Sequence, residues 1–164
     1  MAEVTITLPD NSTKKMSKGA TIKDIAESIG AGLARAAIAG KIDGELVDVS
    51  AKVEKDAKIE IITASSEEGL DILRHSTAHV LADAVVSLFP GAKPTIGPSI
   101  ENGFYYDFDL PRPLIPEDLE TLEASMRDIV GEDHAFAKEI VDRGKAAALF
   151  ADQPYKLEIL NDLS

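Results

Sequence analysis

Thr21-Ile-Lys-Asp-Ile-Ala-Glu-Ser-Ile-Gly30 decides the fold of the first part of the chain. Thr21 and Asp24 have the spacing of a capping box, with Asp where Glu is commoner. Ile22, Ile25, Ala26 and Ile29 recur at helical spacing, and Gly30 stops the helix. Strand signals flank this helix on both sides. Upstream, Val4, Ile6 and Leu8 alternate with Thr5 and Thr7, and Pro9-Asp-Asn-Ser12 is a turn that predicts a hairpin. Downstream, Ala36-Ala-Ile-Ala-Gly-Lys-Ile42 runs into Asp43-Gly44, a strong two-residue hairpin signal, with Glu45-Leu-Val47 as the return strand. Lys58-Ile-Glu-Ile-Ile-Thr63 is a last strand. The predicted order is strand, strand, helix, strand, strand, strand.

One helix packed across a small mixed sheet satisfies that order. The result is a ubiquitin-like β-grasp, placed at residues 1–63. This unit has no histidine, its lysines are scattered, and it reads as a binding or docking module. Ser65-Ser-Glu-Glu-Gly69 is short, polar and acidic. It is a linker or the start of the next helix, with Ser65 or Ser66 as N-cap and the glutamates favoured by the helix dipole. A second unit is placed at residues 64–164.

Charge supports the division. Up to Thr63 there are nine Lys and Arg against ten Asp and Glu; from Ala64 onward there are eight against nineteen, within a total of −12. The acidic second unit lacks the basic footprint that non-specific nucleic-acid binding needs, so any nucleic acid it meets is delivered by something else. The chain has no cysteine, which removes disulfides, thiolate catalysis and cysteine-ligated zinc. The N-terminus has no basic segment followed by an apolar run, so no signal peptide is expected. No stretch approaches the roughly 20 apolar residues of a membrane span.

The chemistry concentrates in Leu70-Asp-Ile-Leu-Arg-His-Ser-Thr-Ala-His-Val-Leu-Ala-Asp-Ala-Val-Val86. His75 and His79 are two of only three histidines. Four residues apart on a helix, they point the same way and converge on one spot, where they can bind a metal or handle a proton. The helix is read from about Glu67 to Phe89. Leu70, Leu73, Thr77, Leu81, Ala84 and Leu88 form one apolar stripe; His75, Ala78, His79, Ala82 and Val86 lie roughly opposite. A helix apolar on two sides is usually buried on two sides. Ala78 and Ala82 leave room for a ligand, although two core histidines bonded to backbone would fit the same pattern.

Further along, Ile96-Gly-Pro-Ser-Ile-Glu-Asn-Gly103 is loop-like with a turn at Asn102-Gly103. Phe104, Tyr106, Phe108 and Leu110 then alternate along a strand. Pro116-Glu-Asp-Leu119 opens a helix with proline at N1 and acids in the first turn. Leu119, Leu122, Met126, Ile129 and Val130 are its expected buried stripe, and Gly131 ends it. His134 reads as a surface histidine. Phe136 to Val141 is a predicted strand, Gly144 to Ala151 a short helix, and Tyr155-Lys-Leu-Glu-Ile-Leu160 a last strand. In that strand Tyr155, Leu157 and Ile159 share one face, which leaves Lys156 on the solvated one.

Several runs together resemble the N-terminal region of bacterial threonyl-tRNA synthetases. They are Ile38-Ala-Gly-Lys-Ile-Asp-Gly-Glu-Leu-Val-Asp48, Glu68-Gly-Leu-Asp-Ile-Leu-Arg-His-Ser-Thr-Ala-His79, Ile96-Gly-Pro-Ser-Ile-Glu-Asn-Gly-Phe-Tyr-Tyr-Asp107 and Tyr155-Lys156. The resemblance implies an α+β chain: a TGS domain with the β-grasp fold at 1–63, then part of an editing domain at 64–164, its long histidine-bearing helix set against an antiparallel sheet. It implies a cytoplasmic parent enzyme that charges its cognate tRNA with threonine using ATP. Its editing module hydrolyses the seryl ester of mischarged tRNA. His75 and His79 match that module's histidine pair, Lys156 its lysine, and Tyr106 a residue near the terminal ribose. ATP, magnesium and zinc belong to the aminoacylation domain, so no cofactor is expected here. The implied partners are the threonine tRNA and a second copy of the parent.

The family completes its editing site with a later Cys-x-x-x-His segment, which this chain lacks. The expectation is an N-terminal fragment with little or no editing activity alone. Other readings stay open on the residues. A metal-dependent hydrolase would use His75 and His79 as ligands and need a third from His134, Asp107 or Asp109. A non-enzymatic regulatory module could also carry a TGS-like unit, and alanyl-tRNA synthetase has a related editing module with a similar histidine pair.

Overall fold

The computed structural model describes residues 2–134 and 138–163. In chain order the first unit contains β1 (Glu3–Thr7), β2 (Thr13–Ser17), β3 (Ala20–Thr21), α1 (Ile22–Ile29), α2 (Ala31–Ala36), β4 (Ala37–Ile42), β5 (Glu45–Val47), β6 (Lys52–Val53) and β7 (Ala57–Thr63). The main sheet has the order β2-β1-β7-β4-β5. Its central pair β1–β7 is parallel, while the other neighbours are antiparallel. This is the expected mixed sheet; α2 and the small β3–β6 ladder are additions to the expected order.

The local signals act as read. Thr21 Oγ1 accepts from the Asp24 N–H at 3.1 Å, and the Asp24 carboxylate accepts from the Thr21 N–H at 2.8 Å, so the capping box is reciprocal. Asp43 and Gly44 take φ values of 54° and 88°, the left-handed pair that a two-residue hairpin turn requires. Asp43 Oδ1 also accepts from the Lys58 N–H at 2.9 Å, tying that turn to β7. Helix α1 lays Ile22 and Ile25 against Val4, Ile6, Val53, Ala57 and Ile59 in one buried cluster. Each isoleucine so buried contributes on the order of 1.5–3 kcal/mol. Gly40 on β4 sets how closely the helix approaches, because a Cβ there would lie 2.6 Å from Ile22 Cγ2.

The second part begins on α3 (Glu67–Leu88) and continues through β8 (Lys93–Pro94), β9 (Ser99–Ile100), β10 (Gly103–Phe104), β11 (Phe108–Asp109), α4 (Pro116–Gly131), α5 (Arg143–Leu149) and α6 (Pro154–Asp162). Ser66 caps α3. Its Oγ accepts from the Gly69 N–H at 3.0 Å and its hydroxyl donates to the Thr63 carbonyl at 2.9 Å. Gly69 is required here, since a Cβ would fall 1.9 Å from the Thr63 carbonyl oxygen. Lys41 adds an ion pair to Glu68. The first turns of α3 are therefore part of the first compact unit, and the division falls inside the helix, between Leu73 and Arg74. That is later than the compositional change after Thr63.

Within the second unit, Ala84, Val85 and Leu122 form a buried cluster lined by Leu81, Phe89, Phe108, Leu110, Met126 and Ile129. Three expectations change. First, the core face of α3 runs through Ala78, Ala82 and Val85, with Ala84 also buried, whereas Leu70, Leu73 and Leu88 are exposed. The small alanines allow close packing, which the count of large apolar residues did not weigh. On α4, likewise, Leu122 is buried but Leu119 and Val130 are exposed.

Second, residues 155–160 are helical, not extended. Pro154 stands in the first turn of α6, where its fixed φ suits a helix start. Gln153, Tyr155, Lys156, Leu157 and Leu160 are half-buried, and positions 153, 156, 157 and 160 among them have the spacing of three and four that belongs to a helix. Third, residues 138–141 are not in a strand; Phe136 lies outside the described residues. The helix expected near Gly144 is α5. Among the described residues, no helix is long and apolar enough to cross a membrane.

Replacing Gly40 with Ala is expected to destabilise the protein by about 1–3 kcal/mol through overpacking against Ile22, while Gly30→Ala, with nothing within 4 Å of the added methyl, stays near wild type; denaturant midpoints measure both. A second test concerns the α4 cap. The Arg112 guanidinium, at 2.6 and 2.8 Å, and the Ile115 N–H hold the Asp118 carboxyl down to about 2, from an ordinary 3.8. A carboxyl depressed in the folded state stabilises above its unfolded pKa and loses that contribution as pH falls through the folded value. The stability deficit of Asp118→Asn should therefore be full above about pH 4 and shrink toward pH 2.

Candidate functional site

Helix α3 sets the histidines one turn apart, and their rings meet. His75 Nε2 and His79 Nε2 lie 3.0 Å apart, with ring centroids at 4.6 Å and planes at 87°. One ring donates and the other accepts, the roles depending on tautomer. Both residues are exposed, at the edge of the Ala78–Ala82–Val85 face. The expectation that they are buried with those alanines is therefore corrected. The helical angle between the rows places the alanines under the helix and the imidazoles beside them, facing out.

Lys156 is the second member. The fold places it on α6, half-buried, with Nζ 5.1 Å from the Phe150 ring centroid. Its charge reaches His79. The His79 imidazole is held below its usual 6.5, first by partial withdrawal from water, then by the positive side of His75, then by Lys156. Each cause penalises the imidazolium, so His79 is neutral at physiological pH. The solvated face assigned to Lys156 on a strand reading is replaced by an inward helical stripe.

Tyr106 stands between β10 and β11. Its ring stacks on Phe108 at 4.5 Å between centroids and 16° between planes. Gly97 makes the space, since a Cβ there would lie 2.1 Å from Tyr106 Cδ2. Burial pushes the phenol above its ordinary 10.0, so the hydroxyl stays a donor. Phe104, Tyr106, Phe108 and Leu110 are half-buried while Tyr105, Asp107 and Asp109 are exposed, so the alternation along this segment is as read. The Asp107 N–H donates to the Ile96 carbonyl at 3.0 Å and the Thr95 N–H to the Asp107 carbonyl at 3.0 Å. These two bonds continue the short β8–β11 pairing by one step toward the β9–β10 ladder. The structure thus brings His75, His79 and Lys156 together electrostatically. No hydrogen bond joins Tyr106 to the histidines among the described residues.

Several supporting residues were not singled out from sequence. Gly97 was readable only as part of a loop, and Asp109 only as a possible metal ligand. Asp109 instead accepts from the Tyr155 hydroxyl at 3.3 Å. His134 pairs with Glu132 at 2.5 Å. Among the described residues, no group of three or more His, Cys, Asp or Glu could hold a metal ion, so the histidine pair does not fit a zinc seat.

Replacing Lys156 with Gln should raise the His79 pKa, because a cation that disfavours the imidazolium is removed. NMR titration of the imidazole resonances measures it; an unchanged or lower value would contradict the placement of Lys156.

A family model described as the TGS domain matches residues 4–63. The chain is 50% identical to a threonine–tRNA ligase of Pelobacter propionicus, an alignment covering 100% of this chain and 26% of that protein. It is 52% identical to the ligase of the same name from Citrifermentans bemidjiense, over 99% and 26% respectively, and 47% identical to that of Staphylococcus epidermidis, over 98% and 25%. The chain spans about a quarter of the length of these curated relatives. Residues 4–63 are a TGS domain, and over its whole length the chain is a relative of the N-terminal region of bacterial threonine–tRNA ligases.

Proposed function

We propose that the second unit is part of an editing site that hydrolyses the seryl ester of mischarged threonine tRNA, within a protein that charges this tRNA with threonine. The observation that carries the reading is the imidazole pair of His75 and His79 next to the Lys156 charge, in a chain half identical to the corresponding part of threonine–tRNA ligases. A synthetic site for threonine rejects serine weakly, because one methyl group is worth only about 1–3 kcal/mol. Hydrolysis after transfer supplies the missing discrimination.

Ester hydrolysis needs a positioned water, a proton acceptor and stabilisation of developing negative charge. His79 is the acceptor on this reading, since its ring is neutral at the pH of the cell. His75 fixes its orientation and tautomer through the shared hydrogen bond. Water attacks the ester carbonyl, its proton passes to the imidazole, and the proton returns to the departing ribose oxygen. Lys156 steadies the oxyanion or the ribose hydroxyl, and Tyr106 offers a phenol to the terminal ribose. The strongly acidic second unit supplies no basic track for the tRNA backbone, so docking of the tRNA rests on other parts of the protein. On the same reading ATP, magnesium and zinc serve threonine activation outside these residues, and the protein acts as a cytoplasmic homodimer.

The direct test is deacylation of seryl-tRNA by the whole tRNA-charging protein and its variants. His79→Ala is expected to lower the rate about 10²- to 10⁴-fold, the range for a lost general base, with threonyl-tRNA left largely intact by all forms. The rate should fall as pH drops through the His79 pKa, which lies below 6.5, because the acceptor becomes protonated. Wild-type rates in His75→Ala and His79→Ala together would sink the reading.

A further inference from the structure

Lys156 works only where α6 holds it, and the start of α6 has no side-chain cap of its own. Gln153, the N-cap, makes no side-chain capping bond, and its Oε1 is buried without a hydrogen-bond partner among the described residues. The other end is well tied, with the Arg143 guanidinium donating to the Leu163 carbonyl at 2.9 Å and the Asn161 carbonyl at 3.0 Å. The Gln153 N–H donates to the Phe150 carbonyl at 2.8 Å, and one side-chain hydrogen bond from β11 also reaches this turn. Tyr155, the neighbour of Lys156, donates its hydroxyl to Asp109 Oδ2.

Asp109 is itself well placed to act as an anchor. It pairs with Lys93 in the β8–β11 ladder. It directly follows Phe108, the residue on which the Tyr106 ring stacks. Two consecutive residues of β11 thus reach two of the proposed site residues, one by stacking and one through Tyr155.

We propose that Asp109 is a positioning residue: through the Tyr155 hydroxyl it holds the first turn of α6, and with it the Lys156 ammonium, at the histidine pair. The role in catalysis rests on the editing reading above; the positioning itself does not. The Tyr155–Asp109 bond reaches one end of the helix and Arg143 the other, while the Lys156 ammonium lies over the Phe150 ring. Losing the Tyr155 bond frees the turn that bears Lys156 while leaving both charges, Asp109 and Lys156, in the molecule.

The test uses Tyr155→Phe in the full chain, which removes the hydroxyl and no charge. By imidazole NMR titration, its His79 pKa should move up toward the value in Lys156→Gln, and the double variant should move no further than Lys156→Gln alone. Asp109→Asn keeps an acceptor for the hydroxyl and should leave His79 close to wild type. In seryl-tRNA deacylation by the whole tRNA-charging protein, Tyr155→Phe should lower kcat about ten- to a hundredfold with KM little changed, as misplacement of a catalytic group does. A wild-type His79 titration in Tyr155→Phe would overturn the proposal, as would full additivity with Lys156→Gln or a loss in Asp109→Asn equal to that in Tyr155→Phe. Should the His79 shifts follow this pattern while no form deacylates seryl-tRNA, the positioning stands and the editing assignment falls.

Discussion

The hydrogen bond between His75 and His79 is the contact around which the second unit makes sense. Two imidazoles one helical turn apart are forced together by the 3.6-residue period. Withdrawal from water and the neighbouring His75 both disfavour the His79 imidazolium. Everything described nearby acts on that pair. The alanines beneath it let α3 pack closely without covering the rings. Lys156 adds a second cation that keeps His79 neutral. A site so arranged favours proton acceptance over metal capture, and no third ligand stands within reach among the described residues.

The first unit obeys different rules. Its stability rests on one helix lying on a mixed sheet, with the Ile22–Gly40 approach as the tightest point. It offers no comparable cluster of titratable groups. Its ion pairs, such as Lys41 with Glu68 and Glu60, tie sheet to helix start, and exposed pairs of this kind contribute little to stability individually. The histidine pair and Lys156 lie after Arg74, while the first unit is a β-grasp fold that includes the capped start of α3.

Where the sequence spoke through backbone rules, it could be read closely. The Thr21–Asp24 capping box, the Asp43-Gly44 turn and the Gly30 stop are local codes with steric causes, and each appears as anticipated. The histidine pair was readable for the same reason, since helical period alone brings the rings together. The misreadings have physical reasons too. On α3, small alanines outcompeted leucines for the core, because closeness of packing mattered more than side-chain size. At Tyr155–Leu160 an alternating pattern of apolar and charged residues mimicked a strand. The Pro154 start and the Gln153, Lys156, Leu157, Leu160 spacing carried the helical signal. Gly97 and Asp109 could not have been assigned from sequence, because their partners, Tyr106 and Tyr155, come close only in the fold.

The most direct measurement of the central claim is binding of a non-hydrolysable seryl-adenosine analogue, with an amide in place of the ester, followed by NMR. The account predicts saturable shifts of the His75 and His79 imidazole resonances and of residues around Tyr106 and Lys156, with the resonances of residues 4–63 unmoved. Shifts confined to the first unit, or equal shifts with adenosine lacking the seryl group, would contradict it.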